Sequence, residues 1–194
     1  MKKWELDSST VLKWGIPAAA FLLIGAVFLP PALVVFFQEI LYFSEHHWAF
    51  IPYPSAFQLM AAAMAWAALC IISLFVTMLI AEGKKRTYRG TAVHAGLGLL
   101  SLPLFAFSLA HYAYLDAEGV HTNAMWSFSE ETMVWEDVQH VERLTSGESV
   151  TVNEYAFADE NRTFVIPYDA NDFPTTRAMS RMEEEHGLEA ESPS

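Results

Sequence analysis

Residues 57–81 and 91–115 contain no Asp, Glu, Lys or Arg, and this feature constrains the fold more than any other in the sequence. A helix needs roughly 20 predominantly apolar residues to cross a bilayer, and each stretch is long enough. A helix on the surface of a soluble core would instead carry polar residues along one face. We therefore expect both stretches to be membrane-spanning helices.

A third span is expected near the N-terminus, at about residues 14–36. The apolar run continues to residue 43 but contains Pro30 and Pro31, and proline removes a backbone donor and clashes with the preceding turn. We expect a kink there, followed by an interfacial extension through Gln38 and Glu39 or by a second short membrane helix. The basic start is similar to that of a signal peptide, but no clean small-x-small cleavage site follows, which favours an uncleaved anchor.

The basic residues of the loops predict the orientation of the three spans, because Lys and Arg favour the cytoplasmic side of a membrane. Residues 82–90 contain Lys84, Lys85, Arg86 and Arg89, whereas residues 44–55 contain neither Lys nor Arg. We expect the N-terminus in the cytoplasm and the chain after the third span outside it, in the cell membrane. The aromatic residues Trp48, Phe50 and Tyr53 would then suit the outer interface.

The charges divide the chain into two halves of different character. Residues 1–115 have a formal charge of +2, whereas residues 116–194 carry 18 acidic residues against four Arg, a charge of −14. The second half is therefore expected to be a water-soluble acidic domain. Such a domain would repel nucleic acids and anionic lipid headgroups.

The apolar pattern after position 112 predicts an antiparallel sheet of five or six strands. Phe164, Ile166 and Tyr168 share one face of a strand, which has a period of two residues. A shift of the apolar set between Val152 and Tyr155 predicts a bulge near Asn153.

The end of the chain changes from the strand period to a helical one. Residues 173–187 follow Asn171 or Asp172 as a cap and end at Gly187, which is a helix stop signal. We expect an acidic α+β domain over residues 116–188, with this single helix laid on the sheet. Residues 189–194 should form a disordered tail.

Three short motifs of residues 110–188 resemble the pleckstrin-homology-like (PH-like) domains that lie behind transmembrane helices in many small bacterial membrane proteins. The motifs comprise Asp116, Gly119 and Val120, then Trp135, Asp137, Val138 and Val141, and finally residues 164–169. The resemblance implies an antiparallel PH-like sheet with one C-terminal helix. It further implies that Trp135 seals the core, that Val138 and Val141 point inward, and that the neighbouring carboxylates cap a corner.

The same stretch contains Glu136, Asp137 and His140, which are residue types used in acid–base catalysis and in metal sites. Catalysis would also need a pocket, shifted pKa values and a group that positions a substrate. None of these is recognisable in the sequence. We therefore expect a structural role for the stretch and no enzymatic activity.

Histidines elsewhere are weak candidates for metal binding. His46 and His47 are adjacent to each other and to Glu45, but neighbouring ligands on one loop seldom point at the same ion. His94 and His111 lie near opposite ends of the third span and about 100° apart around a helix, which disfavours paired ligation or a proton relay. The single cysteine, Cys70, lies within the second span and can form no disulfide within the chain. We expect no cofactor.

The expected function is recognition or assembly at the membrane, in which the acidic domain offers a sheet edge or groove to a membrane or extracytoplasmic protein. Glu183, Glu184 and Glu185 are the candidate contacts for a basic partner, because they crowd a helix end whose dipole favours positive charge. The alternative is an accessory subunit of a transporter, channel or membrane enzyme that acts through its transmembrane helices. No small-molecule substrate is evident.

Overall fold

The computed structural model describes residues 8–145 and 151–191. The chain divides into two compact units. The helical unit comprises Met1–Leu33 and Phe57–Ser108, and the mixed unit comprises Val34–Ala56 and Leu109–Ser194. Residues 34–56 thus belong to the same compact unit as residues 109–194, whereas the sequence predicts a single boundary near residue 115.

Apolar helices account for the first half of the chain. They are α1 (Ser8–Thr10), which leads through a π-helical segment (Val11–Gly15) into α2 (Ile16–Phe28), then α3 (Pro30–Tyr42), α4 (Pro54–Gly83), α5 (Thr91–Leu99) and α6 (Ser101–Ala110). Among the described residues, three helices are long and apolar enough to cross a membrane, namely Val11–Phe28, Pro54–Gly83 and Thr91–Ala110.

Two of the expected span boundaries differ from the observed ones. The first span was expected to reach about residue 36, but the helix ends at Phe28 and a new one begins at Pro30. A proline is tolerated in the first turn of a helix because its missing donor would have no partner there. The third span ends at Ala110 rather than at residue 115, because Tyr112–Leu115 pairs as a strand.

Gln38, which is expected in an interfacial extension, is buried within the mixed unit. Its Nε2 donates to the carbonyl oxygens of Leu109, at 3.2 Å, and of His111, at 3.0 Å. The last carbonyls of a helix lack partners within the helix. Gln38 therefore satisfies acceptors where α6 ends.

His94 is held within the helical unit by two hydroxyl groups. Its Nε2 lies 2.9 Å from Ser73 Oγ and its Nδ1 lies 2.8 Å from Tyr88 Oη. Trp66 adds a further link between the same helices, because its Nε1 donates to Leu97 O at 2.8 Å. His94 thus links α4 to the start of α5 through a hydrogen bond to Ser73.

The mixed unit contains two antiparallel sheets, with strand orders β1-β2-β3-β4 and β5-β6-β7. The strands are β1 (Ala49–Pro52), β2 (Tyr112–Leu115), β3 (Gly119–Asn123), β4 (Glu130–Val134), β5 (His140–Thr145), β6 (Val152–Ala158) and β7 (Thr163–Pro167). The described residues thus form more strands than the five or six expected. The additional one, β1, lies in the segment expected to be a loop between two spans, where it pairs with β2.

One hydrophobic core joins the two sheets and the last helix. Its largest fully buried side chains come from different strands and from the helix, and include Leu115, Met133, Phe157, Ile166 and Met182. The helix α7 (Phe173–His186) covers this core with Ala178, Met179 and Met182. A single core of this kind indicates that both sheets and α7 fold together.

The predicted bulge and helix signals lie where the sequence indicated. Leu144 pairs with Glu154 and Thr145 with Val152, which leaves Asn153 as the extra residue. Asp172 caps α7 by accepting from Thr175 N at 3.1 Å, and Gly187 ends it with a φ of 66°. The sequence also predicts a turn at residues 145–148 from their polar and glycine residues, and this turn lies mostly outside the described residues.

The expected disordered tail is paired with β5 in its described part. Glu191 N donates to Val141 O at 2.8 Å, and Arg143 N donates to Glu191 O at 3.1 Å. Leu188 and Ala190 pack against the hydrophobic core. Residues 192–194 lie outside the described residues.

Candidate functional site

A groove of about 1000 Å³ opens in the mixed unit between residues 45–48, the turn at 116–118 and α7. The five carboxylates in its lining are Glu45, Asp116, Glu118, Glu184 and Glu185, and the two guanidinium groups are Arg177 and Arg181. These residues come from three distant parts of the sequence. We call this feature the acidic groove.

The wall formed by α7 is fixed by the way in which the helix packs. Ala178 and Met182 are buried, and the residues on the flank of the helix beside Ala178 line the groove. Arg181 Nε lies 2.6 Å from Glu185 Oε1, and its guanidinium lies 4.4 Å from the centre of the Trp48 ring. Arg181 is thus already engaged by a carboxylate and an aromatic face.

The wall formed by residues 45–48 is held by stacked rings. The His47 ring stacks on Tyr114 at 4.0 Å, and Trp48 stacks on the buried Trp135 at 5.8 Å. Burial lowers the pKa of His47 below the ordinary histidine value, although the carboxylates of Asp116 and Glu130 act in the opposite direction. His47 is therefore neutral at neutral pH, and it adds no positive charge to the groove.

The third wall is a turn organised by Asp116. Its Oδ1 accepts from Glu118 N at 2.8 Å, from Gly119 N at 3.1 Å and from His121 Nε2 at 3.1 Å. Burial acts to raise the pKa of Asp116, but these hydrogen bonds outweigh it and hold the pKa below its usual value. The Asp116 carboxylate is therefore ionised, and much of its hydrogen-bonding capacity is used by the turn.

His121 and Tyr114 were not recognised in the sequence as members of this region. His121 is buried, and its Nδ1 lies 2.9 Å from Thr132 Oγ1 on the neighbouring strand. The Tyr114 ring stacks on His121 at 4.2 Å and its hydroxyl donates to Glu130 at 2.8 Å. Only the alternation of β3 could have indicated that His121 and Thr132 lie on one face of the sheet.

The candidate residues of the stretch 135–141 separate into core and surface. Trp135, Val138 and Val141 are buried in the core cluster. Glu136 and Asp137 are exposed in a short 3₁₀ turn, and the side chain of His140 is 73% exposed. The two carboxylates and the histidine do not line the acidic groove.

The three consecutive glutamates 183–185 of α7 do not all face the same cavity. Glu184 and Glu185 line the acidic groove, together with the weak metal candidates His46 and His47. Glu183 Oε1 instead lies 3.4 Å from Arg143 Nη2, beside a separate cavity of about 390 Å³. The structure therefore distinguishes two glutamates that line the groove from one that does not, and within the groove Glu185 is paired with Arg181.

Metal chemistry has no support from the geometry of the described part of the chain. Residues 8–145 and 151–191 contain no group of three His, Cys, Asp or Glu side chains placed to hold an ion. His47 is engaged in a ring stack, and its Nδ1 accepts from Ser44 N at 3.3 Å. His46 is exposed beside it, without a third ligand in the same region.

No family model matches this chain, and neither the curated proteins nor the solved structures contain a match. The function is therefore argued from the residues and their arrangement. The acidic groove can bind positively charged groups, because its lining has more carboxylates than guanidinium groups.

Proposed function

We propose that this chain is an integral membrane protein with three spans, and that its mixed unit is a non-enzymatic module that binds a basic segment of a protein partner in the acidic groove. The observation that carries the proposal is the charge of the groove. It has five carboxylates against two arginines, and Arg181 is already paired with Glu185. A cleft lined by one sign of charge attracts ligands of the opposite sign.

Membrane insertion is supported by the exposure of the apolar helices. Only 17%, 22% and 11% of the most apolar parts of the three long helices is buried within the chain. Val27 and Phe28 are 70% and 74% exposed, and Val93 is 63% exposed. Soluble proteins rarely expose contiguous apolar patches of more than a few hundred Å², so lipid is the environment that suits these surfaces.

The orientation that we propose follows from the basic loop. Lys84, Lys85 and Arg86 follow the end of α4 and favour the cytoplasmic side. The mixed unit would then lie on the extracytoplasmic side of a bacterial cell membrane. The PH-like resemblance is supported by the order of a four-stranded sheet, a three-stranded sheet and one final helix.

An accessory subunit that acts through its helices is the second candidate, and a particular glycine favours it. A Cβ built on Gly96 would meet no atom within 4 Å, whereas one built on Gly98 would lie 3.9 Å from Cys70 Cβ. Small residues let membrane helices approach each other closely. The Gly96 position therefore offers space to a helix of another protein.

The acidic groove is tested by replacing Glu184 and Glu185 together with glutamine. The double variant should recover less of the partner when the chain is purified from native membranes in mild detergent. Each exposed charge pair contributes about 0.2–1 kcal/mol, so we expect binding to weaken about two- to thirty-fold. Binding should also become less sensitive to salt, which screens exposed charges over about 10 Å at 0.1 M.

The matched control is Glu183→Gln, since it removes one carboxylate charge from the same helix but outside the groove. Its side chain lies beside Arg143 and does not line the groove, so partner recovery should stay near that of the unmodified chain. Equal losses in the control and the double variant would indicate a general effect of charge. Unchanged recovery from the double variant at every salt concentration would contradict binding in the groove.

A further inference from the structure

A turn of the mixed unit presents two large aromatic side chains to its surroundings. Residues 124–129 connect β3 to β4, and Trp126 and Phe128 are 62% and 65% exposed. The segment contains no charged residue. We call it the aromatic loop.

The aromatic loop has a defined shape, so the exposure of its rings is built into the fold. Ser127 N donates to Ala124 O at 3.0 Å, and Ser129 N donates to Ser127 Oγ at 2.9 Å. Ser127 Oγ in turn donates to Ser129 O at 3.3 Å. These bonds hold the backbone of the turn, and both aromatic side chains are exposed.

The register of the sheet places the aromatic loop at one end of the mixed unit. Asn123 pairs with Glu130 on either side of the loop, and Thr122 pairs with Ala113 near the start of β2. His111, which follows the last residue of α6, lies with its Nδ1 2.8 Å from Asn123 O. The loop is thus at the end of the sheet where the chain leaves α6.

The same end of the sheet adjoins the start of α4. Pro52 at the end of β1 pairs with Tyr112, and α4 begins at Pro54. Ser55 Oγ lies 2.8 Å from His111 Nε2. The first residues of α4, 54–56, and the last residues of α6, 109–110, therefore belong to the mixed unit at this end of the sheet.

Other amphipathic aromatic side chains lie at this level of the mixed unit. The ring of Tyr42, the last residue of α3, lies 4.5 Å from that of Tyr112. Tyr53 stacks on His111 at 4.2 Å, and its hydroxyl lies 2.9 Å from Thr122 Oγ1. Trp and Tyr are enriched where membrane meets water, because their rings suit the headgroup level.

We propose that the aromatic loop inserts Trp126 and Phe128 into the interfacial layer of the bilayer, on the side where α4 begins and α6 ends. The inference rests on the proposed membrane insertion and extends it to a second, peripheral contact made by the sheet. Its ligand is the lipid interface, which suits an uncharged loop with two large rings. The turn at 116–118 lies at the opposite end of the sheet, so this contact leaves the acidic groove accessible from the water.

The test uses the full chain with a single environment-sensitive fluorophore, reconstituted in vesicles of phosphatidylcholine and phosphatidylglycerol. In a Cys70→Ser background, Ser129→Cys places the fluorophore beside the aromatic loop. Glu118→Cys places it at the other end of the same sheet, about 20 Å away at 3.3 Å per strand residue. A nitroxide lipid labelled near its headgroup should quench the fluorophore at position 129 at least about twofold more than at 118. Replacing Trp126 and Phe128 with serine should remove the difference.

A second measurement distinguishes failure of this inference from failure of membrane insertion. It uses the native Cys70 within α4, which is labelled with the fluorophore before reconstitution. Equal quenching at 129 and 118 with strong quenching at Cys70 by a deep nitroxide would overturn the loop contact and leave insertion standing. Absence of quenching at Cys70 would overturn both. Equal quenching together with loss of a copurifying protein from the serine variant would replace lipid with a protein as the partner of the loop.

Discussion

Replacing Trp135 with alanine is expected to destabilise the mixed unit by about 3–5 kcal/mol, the range found when a buried Trp or Phe is truncated. Trp135 is 2% exposed and stacks on Trp48 and on His186, and it meets the edge of Phe157. Its Nε1 donates to Asp116 O at 2.9 Å. Alanine would leave a cavity under a wall of the acidic groove and remove that donor. Because a domain is stable by only about 5–15 kcal/mol, much of the unit should unfold.

The measurement is the urea concentration at which the mixed unit of the full chain, in detergent, becomes sensitive to protease. Glu136→Gln is the matched control, because the neighbouring side chain is exposed and surface changes usually stay within about 0.5 kcal/mol. Trp135→Phe retains a ring but loses the bond to Asp116 O and should lie between the two. Normal stability of Trp135→Ala, with loss of function in Glu136→Gln, would mean that the stretch is a chemical site.

Replacing Gly119 with alanine is expected to cost about 3 kcal/mol, the upper end of the usual range for overpacking. A Cβ at this position would overlap the backbone oxygen of Met133 and would lie 2.9 Å from both Met133 C and Val134 Cα. These atoms belong to the adjacent strand, and Gly119 pairs with Val134. Backbone cannot move aside as a flexible side chain can, so the pairing of β3 with β4 should be disrupted.

The same protease assay measures this effect, and Glu118→Ala is its control. Glu118 precedes Gly119 in the same turn and its side chain is exposed, so its replacement should change stability by only about 0.5 kcal/mol. Equal stability of the two variants would contradict the close approach of the strands at Gly119.

The parts of the fold that were predictable have strong local signals. The absence of charge over long stretches indicates the apolar helices, and Asp172 and Gly187 delimit α7 by the chemistry of helix ends. Trp135, followed by Val138 and Val141, indicates a corner of the core. Each of these signals lies within a few residues of the element that it specifies.

The parts that were missed depend on contacts between distant residues. Strand β1 is four residues long and pairs Ala49 with Leu115, so nothing near it in the sequence indicates a partner. Residues 112–115 are apolar and continue the preceding run, and periodicity cannot distinguish a short buried strand from helix in such a run. Trp126 and Phe128 have high strand propensity, although they lie in the turn between β3 and β4.

The acidic groove was beyond prediction for the same reason. Glu45, Asp116 and Glu185 meet only after β1 has paired with β2 and α7 has packed on the core. The sequence indicated the glutamates of α7 as a group. It could not show that Glu183 pairs with Arg143 outside the groove, whereas Glu184 and Glu185 line it.

The central claim is that three membrane spans place the mixed unit on the extracytoplasmic side. Cysteine labelling in intact cells tests this claim most directly. In a Cys70→Ser background, Glu160→Cys lies in an exposed turn between β6 and β7, and Thr87→Cys lies in the basic loop without changing its charge. An impermeant maleimide should label position 160 in intact cells and position 87 only after lysis. Labelling at 87 with protection at 160 would place the mixed unit in the cytoplasm and contradict the proposed orientation.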